Sequence, residues 1–205
     1  MRIAPTAMIF AHQSSATGSV FQMAKEAAWI THGHASGFLS AGAFAVILHS
    51  LLVDESILDG VSRARSLLEH ESDSSECIAA MDVAVRLAEY QPGNVAALTQ
   101  IGEGWVGEEA LGIALYCALT ARDFAAGVRM AVNHGGDSDT TGSLTGQLLG
   151  ALYGLKAIPA HWLGHLELRE LISLVAQDLI ECHLWNLDDD GNSDLESIWD
   201  RYPGG

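Results

Sequence analysis

Apolar residues recur at intervals of three and four along nearly the whole chain, the spacing that gathers them on one face of an α-helix. Residues 20–30, 36–53, 56–69, 75–90, 108–121, 123–132, 138–153 and 163–184 each follow this rule. No stretch of similar length alternates apolar and polar positions with period two, so strands are not expected. The breaks are punctuated as helix ends should be. Gln91-Pro92-Gly93-Asn94 reads as a turn, residues 102–107 hold three glycines, and Asn133-His134-Gly135-Gly136 closes one helix before another opens near Ser138. The pattern predicts a compact all-α, multi-helix domain over residues 1–186, followed by an acidic, turn-rich tail over 187–205.

Two finer features modify that outline. Gly142, Gly146, Gly150 and Gly154 recur every fourth residue, forming a nearly bare stripe that would let neighbouring helices approach closely. From Met1 to Val53 the only charged side chains are Arg2, Lys25 and Glu26. That segment is expected either at the centre of the molecule or against another chain. Residues 35–53 contain no Asp, Glu, Lys or Arg, but His49 and several Ser and Gly favour a buried helix over a membrane span. Pro5 interrupts the short opening apolar run, which argues against a signal peptide.

The 205 residues are 49% hydrophobic and 18% charged, enough apolar material for one sizeable core. Ten basic residues against 26 acidic ones give a net charge of −16. Such a field disfavours nucleic acid and anionic membranes and suits divalent cations wherever carboxylates converge. Cys77, Cys117 and Cys182 are odd in number and set in apolar stretches. They read as free thiols of a reducing, cytoplasmic compartment. In the tail, Asp188, Asp190 and Gly191 invite comparison with a calcium loop. Setting Gly191 at the sixth position puts Asn186 first and Ser197 twelfth, where a bidentate Glu is needed, so the match fails.

The densest polar cluster runs from Asn133 to Gly142. Asp137 or Ser138 can cap the helix that follows, with Asp139 and Thr140 in or beside its first turn. Asp137 and Asp139, with the Thr140 hydroxyl next door, can supply three hard oxygens to one cation. Ordinary capping accounts for one Asp more easily than for two acids, two Thr and a Gly-Gly.

Three motifs in order, Thr31-His32-Gly33-His34, Ile101-Gly102-Glu103-Gly104-Trp105-Val106-Gly107-Glu108-Glu109-Ala110 and the run from His134 to Gly142, resemble the ADP-ribosylglycohydrolase family. The similarity extends to about Leu179 through Leu166-Glu167-Leu168-Arg169 and leaves out the tail. It implies an all-α, orthogonal multi-helix fold around a two-metal centre of Mg²⁺ or Mn²⁺ that holds the ribose hydroxyls and a water. On this resemblance Asp137, Asp139 and Thr140 are metal ligands, and His32, Gly104, Trp105, Gly135, Gly136 and Ser138 meet the substrate, ADP-ribose or an ADP-ribosylated molecule. Residues 102–108 would offer backbone N–H groups to an anion.

The resemblance also exposes a departure. Family members carry a Thr-Asp-Asp metal motif, an acidic residue and a glycine-rich loop upstream of the position matched by Met1-Arg2, and no Thr-Asp-Asp occurs in this sequence. Half of the expected ligands and a catalytic acid are therefore missing. The expectation is metal-dependent hydrolysis of an N- or O-glycosidic bond that needs an N-terminal half, on another chain or in a homo-oligomer, the isolated chain being inactive. The competing expectation is a non-catalytic ADP-ribose or nucleotide binder, or a structural member. A helical metallophosphohydrolase would need several histidines beside its aspartates, and only His134 is at hand.

Overall fold

The structure, a computed structural model, describes residues 1–187 and 194–203. Among them the helices are α1 (Ala4–Ile9), α2 (Thr17–Trp29), α3 (Ala35–Leu52), α4 (Ile57–Leu68), α5 (Ser75–Tyr90), α6 (Gly107–Thr120), α7 (Phe124–Val132), α8 (Ser138–Tyr153), α9 (Ala160–Gly164), α10 (Arg169–Glu181) and α11 (Leu195–Arg201). The described residues contain no strand.

The charge-free segment forms the centre. Thirteen of the 18 residues of α3 are buried, and α1, α2, α4, α6 and α8 pack around it. Its length and apolarity would also suit a bilayer, but here protein encloses it. His49 is satisfied within this core: its Nε2 lies 3.1 Å from the carbonyl oxygens of both Phe10 and Gln13, so that nitrogen carries the proton. Close helix approach comes mainly from glycines outside the predicted stripe. A methyl group at Gly42 would lie 2.8 Å from the Phe21 ring, and one at Gly60 would lie 2.9 Å from the Ile47 backbone. Of the stripe, only Gly142 is tight, 2.5 Å from Val132. Gly146 has ordinary contact distance, Gly150 has open space, and Gly154 with φ +74 ends α8.

Three local expectations are corrected. Pro5 does not interrupt the first segment; it lies in the first turn of α1, where a missing N–H costs nothing. Residues 163–184 are not one helix. α9 ends at Gly164, the chain turns through Leu168 at φ +56, α10 follows, and a 3₁₀ turn over Cys182–Leu184 closes the run. The stretch read as a turn-rich tail carries α11, tied back to α10. Arg201 Nη1 donates to both oxygens of Asp178 at 2.6 and 2.7 Å, and the Tyr202 hydroxyl donates to the same carboxylate at 2.6 Å. Asp188, Asp190 and Gly191, the centre of the calcium-loop comparison, lie outside the described residues. Cys77 and Cys117 are buried free thiols, as expected, and burial pushes both up to about 12.

The packing also positions a site. The first turn of α6 rests on the first turn of α3, where a methyl group at Gly107 would lie 2.4 Å from Ser40 Oγ. The start of α8 comes to the same place through the loops before α6 and α8. Three helix N-termini, with their positive dipole ends, therefore converge on one opening.

Candidate functional site

The loop before α8 is built from its own residues first. The Gly136 N–H donates to His134 Nδ1 at 3.1 Å, which leaves the imidazole proton on Nε2, 2.9 Å from Thr141 Oγ1. The buried Thr141 hydroxyl in turn donates to the Ala131 carbonyl at 2.7 Å. Both ring nitrogens of His134 are thus engaged in bracing the turn between α7 and α8. A metal-ligand role for His134, on which the metallophosphohydrolase reading depended, has no free nitrogen to use.

The loop before α6 locks onto this one. The Asp137 N–H donates to the Glu103 carbonyl at 2.8 Å, and a methyl group at Gly136 would lie only 1.7 Å from the same oxygen. Gly104 takes φ +83 and sits where a methyl group would meet Thr141 at 2.9 Å. Glu109, in the first turn of α6, accepts the N–H groups of Glu103 and Gly104 on one carboxylate oxygen at 3.0 and 2.9 Å. The expected anion for those two N–H groups is therefore supplied by the chain itself, and they are not open to a ligand. Glu109 is not among the residues that the sequence points to as part of the site. The signal that could have identified it is the pair of glycines five and seven residues earlier, whose turn leaves N–H groups in need of an acceptor.

Between these loops and the start of α3 lies a cleft of about 750 Å³. Its walls include Asp137, Thr140, Gly104, Trp105 and His32, five of the nine residues expected at the site. Asp139, Ser138, Gly135 and Gly136 do not line it. Asp139 is exposed beside Asp137, while Gly136 acts behind the cleft as the contact point between loops. Arg2, Ser40 and Phe44 line it as well and went unnoticed in the sequence. Within the lining, Arg2 donates to Thr31 Oγ1 at 2.9 Å, and that hydroxyl lies 2.8 Å from His32 Nδ1. Trp105 is 66% exposed at the mouth, its Nε1–H donating to Glu103 Oε2 at 3.0 Å.

Asp137 occupies the N-cap position of α8 but forms no well-shaped capping hydrogen bond. Its carboxylate lines the cleft and stays in contact with the first turn of its own helix. A hydrogen bond with the Asp139 carboxyl, then contacts with the hydroxyl and N–H of Thr140, hold it below the usual carboxylate range. The two acids and the hydroxyl are hard oxygen donors, the right kind for Mg²⁺ or Mn²⁺. They fit in kind and fall short in number. A hard cation takes six or more oxygens, and among the described residues no group of three or more His, Cys, Asp or Glu converges. Met1 lies at the same lip: its carbonyl accepts from Gln147 at 3.1 Å, and its amino group feels the Asp137 charge.

Comparison with known proteins bears on the family of the chain. The family model described as ADP-ribosylglycohydrolase matches residues 1–188. ADP-ribosyl-[dinitrogen reductase] glycohydrolase of Rhodospirillum rubrum is 55% identical over 38 residues, 18% of this chain and 13% of that protein. ADP-ribosylhydrolase ARH3 of Bos taurus is 24% identical over 208 residues, 87% of this chain and 55% of that protein. A solved structure titled "ADP-ribosylglycohydrolase-related protein complex" superposes with a TM-score of 0.63 at 27% identity, covering 85% of this chain and 56% of that one. The chain spans about half the length of the relatives that match most of it.

Proposed function

The chain belongs to the ADP-ribosylglycohydrolase family, and on that premise we propose that it forms one wall of a metal-dependent site that hydrolyses the N- or O-glycosidic bond between ADP-ribose and an acceptor. The observation that carries this reading is the Asp137 carboxylate, which lines the same cleft as Thr140, His32 and Trp105. Asp137, Asp139 and Thr140 would hold Mg²⁺ or Mn²⁺, an ion that lowers the pKa of bound water and orients sugar hydroxyls.

The chain's own residues bind and orient. The N-terminus of α3, whose first turn carries no acidic residue, favours the negative charge of a diphosphate. Trp105 offers an exposed aromatic face, and Arg2 with Thr31 fixes the His32 ring in the cleft lining. The remaining metal donors come from a segment outside these 205 residues, in line with the greater length of the relatives.

The test is one assay of release from an ADP-ribosylated protein with Mg²⁺ or Mn²⁺, using the chain alone, a segment carrying a Thr-Asp-Asp motif and glycine-rich loop, and both together. Turnover only in the mixture is expected. Robust turnover by the chain alone would overturn the shared-site reading. The absence of a three-ligand cluster among the described residues favours a second reading, an ADP-ribose or nucleotide binder without catalysis. Binding by calorimetry with no turnover in any arm would select it.

A further inference from the structure

A second recess lies away from the cleft, between α2, α3 and the turn joining α4 to α5. It measures about 300 Å³ and is lined by Gln22, Lys25, Glu26, Trp29, Phe38 and Glu71, none of which lines the cleft. Trp29 is 65% exposed, and its ring stands 6.0 Å from that of Phe38 at 45°, so two aromatic faces splay around the opening. The charged groups are unequally occupied. The Lys25 ammonium is paired with Glu71 and lies 5.5 Å over the Phe21 ring. Glu26 receives one hydrogen bond, from Gln22 Nε2 at 2.7 Å to Oε1, with acceptor capacity to spare.

These features select the ligand's charge and shape. Two carboxylates against one ammonium leave an excess negative charge, on a chain whose net charge is −16. An anion would find Lys25 already paired. A cation would find two π-faces and an under-used carboxylate. The volume lies at the lower end of the range for small-molecule pockets, room for one long side chain. Guanidinium fits better than ammonium, because it is planar, stacks on an indole and can donate two N–H groups to one carboxylate.

We propose that this recess binds the guanidinium of an arginine side chain presented by another protein, stacked on Trp29 and hydrogen-bonded to Glu26. Ala28 and Thr31 line the cleft while Trp29, between them in sequence, lines the recess. A protein anchored here would therefore lie across the end of α2 with its neighbouring surface at the cleft mouth. That last consequence rests on the cleft acting on protein-borne ADP-ribose; the arginine site itself does not.

The experiment is a titration of the full chain, with ¹⁵N-labelled indoles, by Nα-acetyl-arginine methylamide and by its neutral citrulline counterpart. The Trp29 indole resonance, assigned by its loss in Trp29→Phe, should shift saturably with the arginine compound. Binding of the citrulline compound, and of arginine to Glu26→Gln, should be about fivefold weaker or more, the scale of a charge-assisted contact and a cation–π contact at an exposed site. Calorimetry on Trp29→Ala should show binding lost. Trp29 and Glu26 are exposed, and an unchanged helical circular dichroism spectrum will confirm that the variants fold. No shift at Trp29, an equal response to citrulline, or a shift confined to Trp105 would each overturn the proposal. Because no step needs turnover, a failed hydrolysis assay leaves this result intact.

Discussion

Gly135 and Gly136 are adjacent, and the structure assigns them opposite responses to the same substitution. At Gly136 a methyl group would lie 1.7 Å from the Glu103 carbonyl oxygen and 2.8 Å from Glu103 Cα, both backbone atoms that cannot swing aside. At Gly135 nothing lies within 4 Å. Neither glycine has positive φ, so backbone strain does not enter the comparison. Gly136→Ala must part the two loops, losing the Asp137 N–H to Glu103 hydrogen bond, about 1 kcal/mol, and adding an overpacking penalty of about 1–3 kcal/mol. Reduced freedom in the unfolded chain returns about 0.4–1 kcal/mol. The net loss is about 1–3.6 kcal/mol, which for a domain of this size lowers Tm by roughly 2–14 °C. Gly135→Ala receives only the unfolded-state gain and should leave Tm unchanged or slightly raised. Thermal melts followed by circular dichroism decide the matter. If the two variants melt within about 1 °C of each other, a difference far below the expected gap, the loops are not locked as described.

Two further outcomes follow from individual side chains. Asp137→Asn and Asp139→Asn should each weaken Mn²⁺ binding by calorimetry, since each removes a hard anionic oxygen; unchanged affinity in both would take these residues out of the site. The Arg201 and Tyr202 hydrogen bonds hold the Asp178 carboxyl below its ordinary 3.8, so α11 should stay docked above that pH and loosen as acidification passes through the lower folded value. Hydrogen exchange in α11 that is insensitive to pH below 4, after correction for intrinsic rates, would contradict this.

The helical periodicity carried most of the architecture because tertiary packing agrees with it: α3 through α8 fall within a few residues of the segments that the spacing predicts. It failed at residues 163–184, where the apolar spacing continues across a turn at Leu168 that no proline or glycine at that position announces. The Asp137 to Thr140 cluster was legible because its members are contiguous. The roles of Glu109 and His134 were not, since each depends on the partner its side chain meets across a loop, and spacing alone does not record that. The glycine stripe misled for a related reason. A bare helix face invites close packing, but at Gly150 no neighbour takes up the invitation.

The floor of the cleft belongs to the central helix itself. Ser40 and Phe44 are buried in α3 and also line the opening. In many proteins a binding loop can drift in sequence while the scaffold beneath it stays fixed. That freedom is restricted here, because a change in side-chain volume at either position alters the helix packing and the shape offered to a ligand together. New specificities are therefore more accessible through Trp105 and the exposed rim than through the floor, where any gain in fit must first survive its effect on folding.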